Sequence, residues 1–226
     1  MYGGEHQWSK NRYALIFIAA AILFASHLQA QTSSGSRAET SGGLNSKTWS
    51  ISVTADGYVV PHAEFYVSPT VTADRDWLHA EARYNYEDQQ TGSLWFGYNF
   101  SVGHKLVFEA TPMIGGVFGN TTGIAPGYEV ALTYKRVSLT SSGEYVFDRK
   151  NRNGSFFYSW PQLTYSPVDW LHLGLVAQRT KAYHTNLDVQ RGVLAGISYR
   201  KVRFTTYIFN AGWTKPTLVV ELTYKF

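Results

Sequence analysis

Cysteine is absent from the 226-residue chain, which excludes a disulfide framework, a thiolate metal site, a cysteine nucleophile and lipid attachment through an N-terminal cysteine. Charge is also sparse. Asp, Glu, Lys and Arg make up 16% of the residues, where a soluble domain carries about 25%. Beyond the N-terminus no apolar run approaches the roughly 18 to 20 residues of a spanning helix. A hydrophobic share of 44% with a mean hydropathy of −0.21 is too polar for a polytopic helical membrane protein. The formal net charge of +4 is mild, and the basic residues are scattered, so nothing in the sequence forms a stripe suited to nucleic acid. Aromatic residues, by contrast, are plentiful at 16%.

The N-terminus has the organisation of an export signal. Lys10 and Arg12 precede an apolar run from Tyr13 to Ala25, and Ser26-His27-Leu28-Gln29-Ala30 ends on a small residue. A basic segment, a short apolar segment and a small residue at the cut define a secretory leader, with cleavage expected near Ala30. Residues 31–47 are rich in Ser, Thr and Gly. Such a segment buries too little apolar surface to offset its ordering entropy, so it reads as a flexible lead-in to a single domain spanning 48–226.

From Thr48 onward the dominant period is two, the signature of strands whose faces meet different environments. Leu94, Phe96, Tyr98 and Phe100 alternate with Trp95, Gly97, Asn99 and Ser101, and Leu78, Ala80, Ala82 and Tyr84 alternate with His79, Glu81, Arg83 and Asn85. Turn signals divide the chain into about twelve segments of roughly ten residues, with ten segments as the alternative; that is the length of a tilted strand crossing a bilayer. The first two are expected at 48–55 and 58–68, separated by a short turn at Ala55–Gly57 and followed by a long connection at Pro69–Asp76. Alternate connections, at Val102–Lys105, Lys135–Val137, Ser166–Asp169 and Arg200–Arg203, are tight. Those between them are longer and polar, as in a barrel with both termini on the periplasmic side. Hydrocarbon offers no partner to a free strand edge, so a sheet crossing it must close. The expected fold is all-β, a transmembrane antiparallel up-and-down barrel. Asp76-Trp77-Leu78-His79 and Asp169-Trp170-Leu171-His172 mark one rim, with Trp at the headgroup level. Pro61, Pro112 and Pro161, inside expected strands, predict bulges or strand extensions above the hydrocarbon, toward the extracellular half.

The last nine residues end on Phe226, with Leu218, Val220, Leu222 and Tyr224 at the preceding alternate positions. This ending resembles the C-terminal assembly signature of bacterial outer-membrane β-barrel proteins. The resemblance is to a class and not to a specific family. It implies location in the bacterial outer membrane after leader cleavage, transient handling by periplasmic chaperones and the barrel-assembly machinery, and surroundings of phospholipid and lipopolysaccharide. The basic run Arg149-Lys150-Asn151-Arg152 falls in an expected outer loop that could meet lipopolysaccharide phosphates. No oligomeric state is implied.

If the apolar set faces lipid, the lumen is lined by His62, Glu64, His79, Glu81, Arg83, Glu109, Glu129, Lys135, Glu144, His172, Gln178, Arg200 and Glu221, in both signs of charge. A barrel of about twelve strands lies between a core filled by side chains and an aqueous channel. The functional expectation is a narrow porin-like channel for small hydrophilic solutes. The alternatives are a structural barrel closed by ion pairs and, third, a lipid-modifying enzyme of the outer membrane. The densest constellation is His62-x-Glu64 on the second expected strand with His79-x-Glu81-x-Arg83 on the third. It reads as a salt-bridge ladder with an Arg between carboxylates, or as a metal or acid–base site. None of the seven histidines has a Ser two residues on, and His184-Thr185-Asn186 is a weak substitute. No catalytic residue, cofactor or metal is therefore assigned.

Overall fold

A computed structural model describes residues 48–61, 64–182, 186–212 and 216–226. The expected leader and lead-in, as well as His62, His184 and Thr185, lie outside the described residues. The strands are β1 (Ser50–Val59), β2 (Tyr66–Arg75), β3 (Leu78–Tyr84), β4 (Thr91–Tyr98), β5 (Phe100–Gly103), β6 (Leu106–Gly119), β7 (Gly123–Tyr134), β8 (Val137–Asp148), β9 (Phe156–Val168), β10 (Leu171–Ala182), β11 (Asp188–Tyr199), β12 (Val202–Phe209) and β13 (Thr217–Lys225). Neighbours pair antiparallel, and β1 closes the ring against β13. β4 and β5 share the partner β6. Gly97 faces Met113 and Phe100 faces Ala110, so a single register runs through both pieces and the closed barrel has twelve staves.

The break between β4 and β5 has a chemical cause. The ladder lapses at Tyr98 and Asn99, opposite Pro112 and Thr111 of β6, and proline has no N–H to donate. The same happens elsewhere. β7 skips Ala125 and Pro126 in its pairing with β8, and β9 skips Trp160 and Pro161 in its pairing with β10. The register resumes unchanged across each lapse, so these prolines make gaps and not the expected bulges. Pro112 stands midway along β6, not in its outer part, and Pro61 lies beyond the end of β1 in a turn.

Every connection on the rim that holds the termini is two residues long: Asp76-Trp77, His104-Lys105, Lys135-Arg136, Asp169-Trp170 and Arg200-Lys201. Here the structure corrects the expected start of the barrel. β1 runs through Ala55–Gly57 without turning, and β2 begins at Tyr66, so the supposed long connection Pro69–Asp76 is mostly strand. The misreading arose because Asp56-Gly57 and Ser68-Pro69 are strong local turn signals. In the barrel, Asp56 faces Ser68 and Ala55 faces Pro69 inside the β1–β2 ladder. Asp76-Trp77 and Asp169-Trp170 do occupy the same rim, on strands that run in the same direction.

The outer surface is apolar. Phe96, Ile114, Leu175, Val193, Ile197 and Leu222 are exposed along the staves, and Trp77, Trp170, Tyr134, Tyr165, Tyr199 and Tyr224 form a belt near the tight-turn rim. An apolar band edged by amphipathic aromatics is the exterior of a bilayer-spanning barrel. Leu222 and Tyr224 of the terminal strand belong to it, and the Phe226 backbone N–H donates to the Ile51 carbonyl at 2.9 Å, fastening the chain end to β1.

Two substitutions test this arrangement. Phe96→Arg, at the middle of the band where Phe96 is 61% exposed, is expected to cost about 2–4 kcal/mol of folding stability, and Val102→Arg near the rim about 1 kcal/mol or less. Urea unfolding in phospholipid vesicles measures the difference.

Candidate functional site

The lumen is built by the inward parity of each stave. β3 alternates strictly, with His79, Glu81 and Arg83 buried and Leu78, Ala80, Ala82 and Tyr84 turned the other way. Its neighbour β2 places Thr70, Thr72 and Asp74 opposite Arg83, Glu81 and His79. Asp74 therefore stands where the sequence suggested the His62/Glu64 pair. Glu64 lies in the exposed loop between β1 and β2, at the opposite end of the barrel from Asp74, because β2 starts later than its alternation implied.

Arg83 is the centre of the charged cluster. Its Nε donates to Glu81 Oε2 at 2.6 Å and Nη2 reaches the same oxygen, while Nη1 donates across the lumen to Glu144 Oε2 on β8 at 2.9 Å. The guanidinium lies 4.5 Å from the ring centres of both Tyr86 and Trp95. Glu87, dipping in from the 85–90 loop, accepts from Ser93 Oγ at 2.6 Å and from Trp95 Nε1 at 3.1 Å. A buried guanidinium is tolerable only with partners of this kind on every side.

On the loop side of Arg83 the lumen is packed. Trp95, wholly buried, joins Met113, Val117, Ala125 and Val146. Its indole occupies the space left by Gly115 and Gly127, where an added Cβ would come within 2.4 and 2.8 Å of ring carbons. From the facing wall Val176, Leu194, Tyr207, Phe209 and Val219 form a second cluster, with Tyr58 and Trp160 against it. Trp160 meets Tyr207 and Phe209 edge-on at 5.3 and 5.1 Å between ring centres. β9 and β12 supply these rings. Aromatics on both faces of a strand, as at residues 156–160, blur the alternation that would otherwise mark its inward side.

On the tight-turn side the lumen is hollow. A cavity of about 640 Å³ is lined by Asp74, Asp76, His79, Glu81, Glu109 and Glu129 together with Ser, Thr, Asn and Gln side chains. A smaller one of about 190 Å³ continues past Arg83 between Asp56, Tyr58, Tyr86, Tyr158 and Glu221. These walls carry Asp56, Asp74, Asp76, Glu81, Glu109, Glu129 and Glu221 against one guanidinium, Arg83, and the imidazole of His79. The walls of these cavities therefore carry both signs of charge, as expected, but with a marked excess of acidic side chains. Glu221 accepts from the Tyr207 hydroxyl at 2.9 Å.

Besides Glu64, three of the expected lumen residues stand elsewhere or apart. Lys135 and Arg200 are the first residues of two-residue turns, with φ of 52° and 53°, and their cations lie over the rings of Tyr134 and Tyr199 at the rim. Their parity within the strand pattern was right, but the strand had already ended. His172 faces inward near the same rim, held between Ser166 Oγ and Ser198 Oγ at 2.8 Å each, apart from both cavities. Asp56, Asp74 and Glu87 were missed. The first two sat in segments misread as turns, and Glu87 comes from a loop that no periodicity describes.

Removing the guanidinium is expected to destabilise the barrel strongly. Arg83→Met leaves Glu81 and Glu144 buried without their partner, a change of about 3–5 kcal/mol. Gly115→Ala drives a methyl into the immobile Trp95 ring and is expected to cost about 1–3 kcal/mol. Denaturant unfolding of the refolded protein checks both.

No protein-family model matches the chain, and no curated protein matches its sequence. Among solved structures, the KdgM porin superposes with a TM-score of 0.54 at 12% identity, covering 77% of this chain and 99% of that one. The KdgM porin in complex with disordered oligogalacturonate gives 0.53 at 11%, with the same coverage. The outer membrane protein Omp33 of Acinetobacter baumannii gives 0.47 at 10% identity, covering 79% and 98%. At such identity the likeness is one of fold: the chain has the architecture of bacterial outer-membrane β-barrels.

Proposed function

We propose that the chain is a narrow outer-membrane channel for small hydrophilic solutes, with a preference for cations. The observation that carries this is the carboxylate-walled hollow of about 640 Å³ opening at the tight-turn rim, enclosed by a lipid-facing apolar wall. Fixed charge of one sign along a low-dielectric passage concentrates counter-ions and repels co-ions. The oligogalacturonate bound by the KdgM porin is a chain of carboxylates. The acidic lumen here disfavours such a polyanion, so that ligand is not carried over.

A second function has its own support. The Arg83 brace to Glu144 and the two apolar clusters on its loop side favour a barrel that is closed at rest and plays a structural role. Planar-bilayer recording separates the two. In a tenfold KCl gradient the channel is expected to give a reversal potential of the sign set by K⁺, moving toward zero in Glu221→Gln and Glu109→Gln. Absence of conductance favours the closed barrel, and selectivity for Cl⁻ overturns the cation preference.

For its surroundings, the same proposal takes the barrel to sit among phospholipid and lipopolysaccharide in the bacterial outer membrane. Leu218, Val220, Leu222, Tyr224 and Phe226 would be read by the assembly machinery, after periplasmic chaperones have delivered a chain cut near Ala30. The exposed Arg149 and Arg152 on the loop rim would meet lipopolysaccharide phosphates. Phe226→Ala is expected to lower the amount of assembled barrel in outer-membrane fractions without changing the unfolding midpoint of what does assemble.

A further inference from the structure

We propose that His79, Glu81 and Glu129 form a binding site for a divalent transition-metal ion at the inner end of the vestibule. One ligand atom from each of the three lies within 4.8 Å of the others. A shared ion with bonds of about 2.0–2.2 Å requires these side chains to draw in by roughly 1 Å, a rotamer adjustment open to Glu129, which makes no hydrogen bond among the described residues.

The orientation of His79 is the independent observation. Its Nδ1 lies 2.8 Å from Asp74 Oδ1, and that oxygen also accepts from Asn99 Nδ2 at 2.8 Å. Asn99 is itself held by the Thr111 hydroxyl, which donates to Asn99 Oδ1 at 2.7 Å. A carboxylate only accepts, so Nδ1 carries a proton, and a metal ion displacing the proton from Nε2 would find its lone pair aimed at Glu81. His79 is 2% exposed, and Nε2 makes no hydrogen bond of acceptable geometry. It lies 3.3 Å from Glu81 Oε1, a contact that needs a cation in one of two forms: a proton on Nε2, giving an ion pair, or a metal ion between a neutral ring and the carboxylate. Carboxylate-to-imidazole support on the far nitrogen is the usual outer shell of a metal-ligating histidine.

Arg83 binds the other oxygen of Glu81, which leaves Oε1 turned to the site. An imidazole with two carboxylates suits zinc and its neighbours in the first transition row better than magnesium or calcium, which take oxygen ligands alone. The vestibule supplies water for the remaining coordination positions and a route of entry. The site goes beyond the channel function and does not depend on it, since binding is read in detergent without any current.

The test uses the untagged, detergent-refolded barrel, stripped with chelator and titrated with ZnCl₂ by calorimetry, with Co²⁺ absorption as a second readout. One zinc per barrel is expected. His79→Ala should weaken binding more than 100-fold and Asp74→Asn about 10- to 100-fold, while His172→Ala leaves it unchanged. Heat-modifiable electrophoretic mobility confirms folding of each variant. If His79→Ala does not fold, the near-isosteric Glu129→Gln carries the test and should lose the Co²⁺ bands. Absence of stoichiometric zinc binding, or unchanged affinity in a folded His79→Ala or Glu129→Gln protein, overturns the proposal. His79 would then be an imidazolium between two carboxylates, with a second proton in place of the metal.

Discussion

The structure depends on one constraint: in hydrocarbon a backbone N–H or C=O has only other backbone groups to bond. A sheet in that medium has no tolerable edge, so β1 must meet β13, and every other feature follows from that closure. The constraint also explains how the prolines behave. At Pro112, Pro126 and Pro161 a donor is missing and the ladder lapses for a residue or two, yet the register continues on the far side. A slip of one residue would turn an entire stave inside out, exposing charge to lipid and apolar side chains to water. A short gap costs far less than that.

Closure also creates an interior with a chemistry of its own. Half of every stave points into the enclosed interior. The two ends of the lumen meet this differently. Toward the loops, Trp95, Trp160, Tyr207 and Phe209 reach across and fill the space, with glycines opposite making room for the largest ring. Toward the tight turns, small hydroxyl and carboxylate side chains leave it hollow. Arg83 sits at the boundary, its charge balanced by Glu81 and Glu144 and its faces covered by Tyr86 and Trp95. That single guanidinium ties the acidic hollow to the aromatic fill.

Much of the barrel was legible because period-two alternation reports directly on environment. The staves from β6 to β8 and the last strand read cleanly, since hydrocarbon accepts only apolar side chains on one face and Glu129, Glu144 and Glu221 mark the other. The start of the chain did not. Asp56-Gly57 and Ser68-Pro69 carry strong turn chemistry, and only their pairing with each other across the β1–β2 ladder reveals them as strand. Lys135 and Arg200 kept the inward parity of their strands but stand just past the strand ends, where a two-residue turn takes the chain to the rim.

By itself, then, the amino-acid order determined that the chain forms about twelve strands, which faces of most of them touch lipid and where four of the five tight turns fall, because each of these follows from neighbours a few residues apart. The partners inside were decided only by the tertiary structure. Arg83 and Glu144 are 61 positions apart, Asp74 replaces Glu64 beside His79, and Tyr207 and Phe209 find Trp160 across the barrel. Such meetings depend on the radius of the closed ring and on the vertical stagger between staves. No local pattern encodes either quantity, since both emerge only when the last strand bonds to the first.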